Sequence, residues 1–198
     1  MIIVDVETTG TDWRYHSLVS IGAIDFDNPE NEFYGECRIF EGARVEAEAL
    51  AINRFSEEDL SNPKAKTDRE LVEAFFAWTK TVGDKTIAGV NPSFDRDFIR
   101  AVALRYHLDW PLAYRTVDLH SVAYAHMLSK GGVPASKNGH SDLDLPKVLA
   151  YCGLPQNPKA HNAHDDALFE AEAFSRLIYG QSFVEELIHY PVPAHLKR

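Results

Sequence analysis

The chain has 198 residues, of which 45% are hydrophobic, and 20 Lys and Arg against 30 Asp and Glu give a formal net charge of -10. That length fits one domain with a real core and argues against global disorder. The negative charge argues against long-range attraction to nucleic acid or to an anionic membrane, but it is compatible with a phosphate substrate held through metal ions.

Cysteine usage and hydropathy argue against a disulfide-rich, a zinc-binding and a membrane-spanning protein. The two cysteines, Cys37 and Cys152, are far apart and lack metal-ligand spacing, so the sequence favours neither a disulfide framework nor a zinc site. No apolar run approaches the roughly 18 residues of a membrane helix, and the first strand starts at Met1. We therefore expect a soluble, unprocessed protein of the reducing cytoplasm.

The opening stretch, MIIVDVETTG, predicts a central strand that ends in two carboxylates. Asp5 and Glu7 are two residues apart, so they share one face of the strand at a separation of roughly 7 Å. Their repulsion is about 2 kcal/mol at an effective dielectric of 20. Our hypothesis is that a divalent cation balances this charge, and the alternative is a solvated face of an antiparallel strand.

Two more strands are predicted after short connections. Residues 18–26 form the second, residues 28–31 a turn, and residues 32–40 the third. Connections this short favour an antiparallel meander. Residues 46–52 and 56–60 are predicted as short helical turns.

The rest of the chain alternates helices with strands, which predicts parallel additions to the sheet. The expected elements are helices at 67–82, 93–106, 118–128, 144–152 and 163–179, and strands at 86–90 and 113–117. Residues 129–141, with three glycines and a proline, predict a mobile loop. We expect one domain over residues 1–180, with residues 181–198 as a C-terminal extension packed on it or trailing from it.

Further acidic candidates lie near two predicted helix starts. Asp95 ends the stretch NPSFD, and the segment HNAHDD runs from His161 to Asp166. Acids near a helix N-terminus are also favoured by the macrodipole alone, by a few tenths to about 1 kcal/mol. Taken singly, none of these stretches decides a function.

Taken together, these motifs resemble the DEDDh exonuclease superfamily, the DnaQ-like or RNase T-like group. The matching stretches are DVETTG at 5–10, NPSFD at 91–95, VDL at 117–119 and HNAHDDA at 161–167. The stretch ALAINRF around Asn53 is similar to the segment that lines the substrate groove in this group. The resemblance covers most of the chain and implies an α/β RNase H-like (exonuclease) fold, with a central mixed five-stranded sheet flanked by helices.

The resemblance also implies a reaction: 3′ to 5′ hydrolysis of single-stranded DNA or RNA ends to nucleoside 5′-monophosphates. The metal ligands would be Asp5, Glu7, Asp95 and Asp166, holding two Mg²⁺ or Mn²⁺ ions, with His161 as general base. Four converging carboxylates repel one another by roughly 1 to 2 kcal/mol per pair, which agrees with a need for cations. Positions five apart on a helix differ by about 140°, so we expect His161 in the loop before the helix.

Substrate contacts are predicted at Thr8, Thr9, Asn53 and Asn91. Residues 13–16, Trp-Arg-Tyr-His, have a composition that suits stacking on an unpaired base, although an ordinary loop would look the same.

Two other functions fit parts of the sequence. IIVDVETTGT resembles the D-x-D-x-T strand of a haloacid-dehalogenase-type phosphatase, and the same fold could serve as a catalytically silent nucleic-acid-binding module. Nothing in the residues named here separates DNA from RNA. The sequence also leaves open whether the protein acts alone, as a homodimer, or with a polymerase partner, and it predicts no membrane association.

Overall fold

A five-stranded mixed sheet forms the centre of the molecule, with strand order β3-β2-β1-β4-β5 in a computed structural model that describes residues 1–197. The strands are β1 (Ile2–Thr8), β2 (Leu18–Asp25), β3 (Asn28–Glu36), β4 (Ile87–Gly89) and β5 (Thr116–Asp118). The first three pair as an antiparallel meander, whereas β4 joins β1, and β5 joins β4, in parallel. This confirms the predicted mixed five-stranded sheet.

Seven α-helices accompany the sheet. They are α1 (Ala47–Asn53), α2 (Glu57–Ser61), α3 (Asp68–Trp78), α4 (Pro92–Arg105), α5 (Leu119–Ser129), α6 (Leu145–Tyr151) and α7 (Ala163–Tyr179). Capping boxes at Ser56 and Thr67 begin α2 and α3, since each side chain accepts from the backbone N–H three residues on. In the described part of the chain, no helix is long and apolar enough to cross a membrane.

The alternation of β1 sets the two faces of the sheet. Ile3 belongs to the core cluster covered by α5, α6 and α7, whereas Ile2 and Val4 belong to the cluster covered by α3 and α4. Asp5 and Glu7 follow Ile3 on the α7 side. The strand therefore carries both carboxylates toward the N-terminal half of α7.

Three predicted boundaries are wrong. The turn falls at residues 26–27, so residues 28–31 belong to β3, and that strand ends at Glu36 rather than at residue 40. Pro29 is tolerated because β3 is an edge strand. The strand predicted at 113–117 begins only at Thr116. The predicted loop 129–141 contains a short hairpin, β6 (Ser136–Lys137) with β7 (His140–Ser141).

The C-terminal segment is attached through α7. Glu172 and Arg176 form an ion pair in which both side chains are fully buried and Nε lies 2.5 Å from Oε1. Arg176 also donates to three carbonyls, those of Cys152, Leu187 and Tyr190. Glu172 also accepts from the Ser182 hydroxyl and from the N–H groups of Phe183 and Val184.

Candidate active site

The strand β1 delivers two carboxylates to one place. Glu7 is 9% exposed, and Asp5 is partly exposed. The register between β1 and β2 shifts between Glu7 and Thr8, where the strand ends. Both side chains lie on the face that α7 covers.

The first turn of α7 comes unusually close to the sheet because Gly22 lies beneath it. Gly22 pairs with Asp5 across the β1–β2 ladder. A Cβ atom on Gly22 would lie 2.2 Å from the carbonyl carbon of Ala163, so only glycine permits this approach. Asn162 caps the helix by accepting from the N–H groups of His164 and Asp165.

This packing brings Asp166 to Glu7. One ligand atom each from Glu7, His161 and Asp166 lie within 4.8 Å of one another, a spacing that could hold a metal ion. Asp166 is buried and accepts from the Asn157 amide at 2.9 Å and from the His161 N–H at 2.7 Å. Two fixed donors therefore orient this carboxylate toward the strand.

His161 lies outside the helix, as the 140° argument predicted. Its backbone is left-handed, with φ of 66°, and its side chain is exposed. The bond from its N–H to Asp166 ties the loop to the first turn of α7. His164, its neighbour in the motif, pairs instead with Glu32 at 2.9 Å.

Asp95 reaches the site from the opposite side of the sheet. It lies in the first turn of α4, is 3% exposed, and its Oδ1 accepts from the Val6 N–H at 3.0 Å. Because Val6 lies between Asp5 and Glu7 on β1, this bond holds the Asp95 carboxylate beside both of them. The start of α4 is in turn tied to β5, because the Asn91 N–H donates to Asp118, the N-cap of α5.

Burial and mutual repulsion raise the pKa values of the clustered carboxyls. Burial is the main cause for Asp5, whose pKa lies well above its usual value, and the charges of Asp95 and Glu170 add to it. Burial, with the charges of Asp166 and Asp95, raises the pKa of Glu7 to about 8. Burial raises the pKa of Asp95 to about 7 although the Val6 N–H opposes this, and it raises the pKa of Asp166 as well.

One buried acid at this site was missed by the sequence analysis. Glu170 is 2% exposed and lies one helical turn after Asp166, where burial and the charge of Asp95 raise its pKa well above the usual value. The available signal was its position: Glu170 continues the face of α7 that bears Asp166, amid the buried positions Ala167, Ala171 and Phe174. A glutamate is rarely buried on such a face unless a partner balances its charge.

The predicted substrate residues lie in different environments. Asn53 is buried, donates from its side chain to the Thr8 carbonyl at 2.9 Å, and lines a cavity of about 260 Å³ together with Thr8. Thr9 is fully buried, its hydroxyl donates to the Arg44 carbonyl and its N–H to the Ser17 carbonyl, and its contact with substrate stays a prediction. Asn91 is exposed at the start of α4.

The side chains of the aromatic stretch at residues 13–16 differ in their exposure to solvent. Trp13 and Tyr15 are exposed, and the Arg44 guanidinium lies 4.4 Å from the centre of the Tyr15 ring. His16 is buried, and its Nε2 lies 3.2 Å from Glu46. His16 therefore supports the loop and is not available for stacking.

A second cavity, of about 340 Å³, opens beside Glu7 and His161. Its other walls carry Tyr34, Arg54 and Lys159, so two basic side chains lie beside an otherwise acidic centre. Arg54 adopts a left-handed conformation at the end of α1, with φ of 62°.

The donors of this site suit hard divalent cations. Buried carboxylates that are close enough to raise one another's pKa, with an imidazole at their edge, offer the oxygen-rich ligand set that Mg²⁺ and Mn²⁺ prefer. A mixed sheet that presents such a centre at the end of its central strand has the architecture of the RNase H-like exonuclease class.

Sequence comparison gives the family. The pattern of the RNase_T family, described as Exonuclease, matches residues 2–174, and the chain belongs to this family. Ribonuclease T of Yersinia pseudotuberculosis is 27% identical over 209 residues, covering 98% of this chain and 89% of that protein. The 3′-5′ DNA exonuclease Cap18 of Escherichia coli is 28% identical over 187 residues, covering 89% and 90%.

Solved structures show the same fold. The nuclease domain of 3′hExo, a DEDDh family member bound to rAMP, matches with a TM-score of 0.70 at 16% identity, over 90% of this chain and 91% of that one. E. coli exonuclease I with a dT13 oligonucleotide matches with a TM-score of 0.69 at 17% identity, over 88% of this chain but only 40% of that one. The predicted DEDDh-type 3′-5′ exonuclease is therefore confirmed, and the phosphatase alternative is wrong.

Proposed function

We propose that this chain hydrolyses single-stranded DNA or RNA from the 3′ end and releases nucleoside 5′-monophosphates, using two divalent cations and a histidine base. The observation that carries the proposal is the convergence of Glu7, His161 and Asp166 within 4.8 Å, with Asp5 and Asp95 adjoining them. Elements separated by about 160 residues of sequence supply this one centre, and all of them come from a single chain.

The cation-holding residues are proposed to be Asp5, Glu7, Asp95 and Asp166. When bound, a pair of Mg²⁺ or Mn²⁺ ions polarises the phosphodiester and stabilises charge on the departing 3′ oxygen. The protein's part is orientation: the Val6 N–H holds Asp95, and the Asn157 amide with the His161 N–H holds Asp166. These fixed donors prepare the carboxylates before any cation arrives.

His161 is proposed to accept the proton of the attacking water at its imidazole. Its exposed side chain borders the cavities on both sides of the acidic cluster, so it can reach solvent. The backbone bond to Asp166 keeps the imidazole beside the cluster. Histidine is the residue most often used as a general base in enzymes.

The substrate is proposed to enter through the cavities that flank Glu7. Thr8 and Asn53 line one of these cavities. Arg54 and Lys159 line the other, where their positively charged side chains can bind backbone phosphates. A net charge of -10 favours short or already delivered 3′ ends over tracking along long strands. The two relatives named above differ in nucleic acid, one a ribonuclease and the other a DNA exonuclease, so both substrates belong in the test.

The compartment is proposed to be the cytoplasm. Cys37 and Cys152 are both free and buried, which suits a reducing environment.

The test is a product profile on matched 5′-labelled DNA and RNA oligonucleotides of several lengths, with Mg²⁺ or Mn²⁺. We expect ladders that shorten from the 3′ end, and a loss of about 1000-fold for Asp5→Asn if the cation contributes about 4 kcal/mol. Glu73→Gln removes the same charge from an exposed ion pair with Arg69 on α3 and should stay active. Unchanged degradation by Asp5→Asn would contradict the proposal, and intact oligonucleotides with the wild type would favour a silent binding module.

A further inference from the structure

Glu170 has one carboxylate oxygen that is hydrogen-bonded and one that is not. Its Oε1 accepts from the Val90 N–H at 3.2 Å, at the end of β4. Its Oε2 is buried and has no hydrogen-bond partner among residues 1–197. Buried polar atoms are nearly always paired in folded proteins, so an unpaired carboxylate oxygen calls for a ligand.

Packing keeps this oxygen at the site. A Cβ atom on Gly89 would lie 3.0 Å from Oε2, so the glycine leaves just enough room for the carboxylate between α7 and β4. Glu170 is four residues after Asp166, and residues four apart lie on the same face of a helix. Along β1, Asp5 and Glu7 share a face in the same way. The helix and the strand thus contribute two carboxylates each.

Glu170 lines a cavity. This cavity, of about 280 Å³, is also lined by Asp5, His161 and Asp166, and α6 contributes Leu145 and Leu149 to its walls. A water molecule occupies about 30 Å³ in the liquid, so the space can admit a hydrated ion. Three of the lining residues, Asp5, Asp166 and Glu170, are acids, which favours a cation.

We propose that Glu170 is a fifth carboxylate of the cation site and that its Oε2 supplies an oxygen to the divalent ion held beside Asp5. The proposal rests on the function proposed above and extends it to a residue outside the four-carboxylate motif. Glu170 acts through the ion, so it is a positioning residue for the reaction. A purely structural glutamate would serve only the bond to Val90.

The test compares Mn²⁺ binding by calorimetry in the full-length, EDTA-treated chain and in Glu170→Gln. The glutamine keeps the volume and the acceptor for Val90 but loses the charge at Oε2. We expect the Mn²⁺ affinity to fall by about 10- to 100-fold, the range that loss of supporting groups costs at metal sites. Glu73→Gln is the matched control, because it makes the same change at an exposed position on α3 outside this cavity, and its affinity should match the wild type.

Thermal melts in EDTA establish that each variant is folded, and Glu170→Asp provides a second probe that retains the charge but withdraws the oxygen. For both Glu170 variants, the rise in melting temperature caused by Mn²⁺ should shrink. Wild-type affinity in both variants would overturn the role of Glu170 and leave the exonuclease proposal intact. A wild type that neither binds Mn²⁺ nor shortens oligonucleotides would overturn the proposed function itself.

Discussion

The two halves of α7 contain buried acids that are treated in opposite ways. Glu172 is fully buried and accepts four hydrogen bonds, of which one comes from Arg176 in a fully buried ion pair. Glu170, two residues earlier and on the other side of the helix, accepts one. The C-terminal half of the helix therefore satisfies its charge within the protein, whereas the N-terminal half leaves its charge for a ligand.

The C-terminal half of α7 therefore contributes mainly to the stability of the fold, and the N-terminal half mainly to the proposed cation site. Removing charge from the C-terminal half should destabilise the fold, because a matched partner loses its counterion. Removing the charge of Glu170 from the N-terminal half should relieve repulsion while weakening cation binding. Substitutions at the two ends therefore test the comparison directly.

The largest effect on stability is expected for Arg176→Met. Breaking a buried pair costs about 3 to 5 kcal/mol, or roughly 6 to 20 °C in melting temperature at about 2 to 4 °C per kcal/mol. The activity of the folded fraction should persist, because Arg176 lies outside the acidic cluster. Thermal melts and oligonucleotide assays below the transition measure both.

The matched control is Arg69→Met, which breaks an exposed pair of the same i,i+4 spacing with Glu73. Exposed pairs contribute about 0 to 1 kcal/mol, so its melting temperature should change little. Equal losses in the two variants would contradict the claim that burial distinguishes them.

The second-largest effect is expected in the pH dependence of the stability of the metal-free protein. The pKa of Glu7 is about 8 and that of Asp95 about 7 in the folded state, both above their ordinary values. The folded state thus binds more protons than the unfolded state, and stability present below about pH 4 is lost as pH rises toward 8. Because one pKa unit is worth about 1.4 kcal/mol, we expect a loss of at least about 2 kcal/mol.

Melts in EDTA between about pH 5 and pH 9 measure this loss. Saturating Mn²⁺ should flatten the dependence, because a cation compensates the ionised carboxylates. If the metal-free protein became more stable as the pH rises over this range, the ionised carboxylates would not be what destabilises it.

Much of this architecture was predictable, and what was missed depends on contacts between residues distant in the sequence. The apolar strand, the helical spacing of α7 and the order of the acidic motifs placed Asp5, Glu7, Asp95, His161 and Asp166 in one fold. The hydrogen bonds of the Thr9 hydroxyl and N–H to the carbonyls of Arg44 and Ser17 were not predicted, because no local pattern shows these partners. Glu170 was missed because its environment depends on Gly89 and Val90, some 80 residues away.

Gly22→Ala is expected to have a smaller effect on stability and a large one on activity. Its Cβ would collide with the backbone of Ala163, so the first turn of α7 must move away from β2. Overpacking costs about 1 to 3 kcal/mol, and displacing a catalytic group by about 1 Å can cost about 100-fold in rate. Gly83→Ala is the control, since a Cβ there meets nothing within 4 Å. Full activity in Gly22→Ala would mean that the site tolerates a displaced helix.

The smallest effect on stability has the opposite sign and is expected for Asp5→Asn. Each repulsive pair at this spacing costs about 1 to 2 kcal/mol, and Asp5 faces the charges of Asp95 and Glu170, so the amide should raise the melting temperature in EDTA by a few degrees. Asp166→Asn should show no such gain, because its amide would place a donor against Asn157 or the His161 N–H. Melts of both variants in EDTA near pH 8 measure the difference. A fall of several degrees for Asp5→Asn would mean that its carboxylate is stabilised within the protein, as Glu172 is.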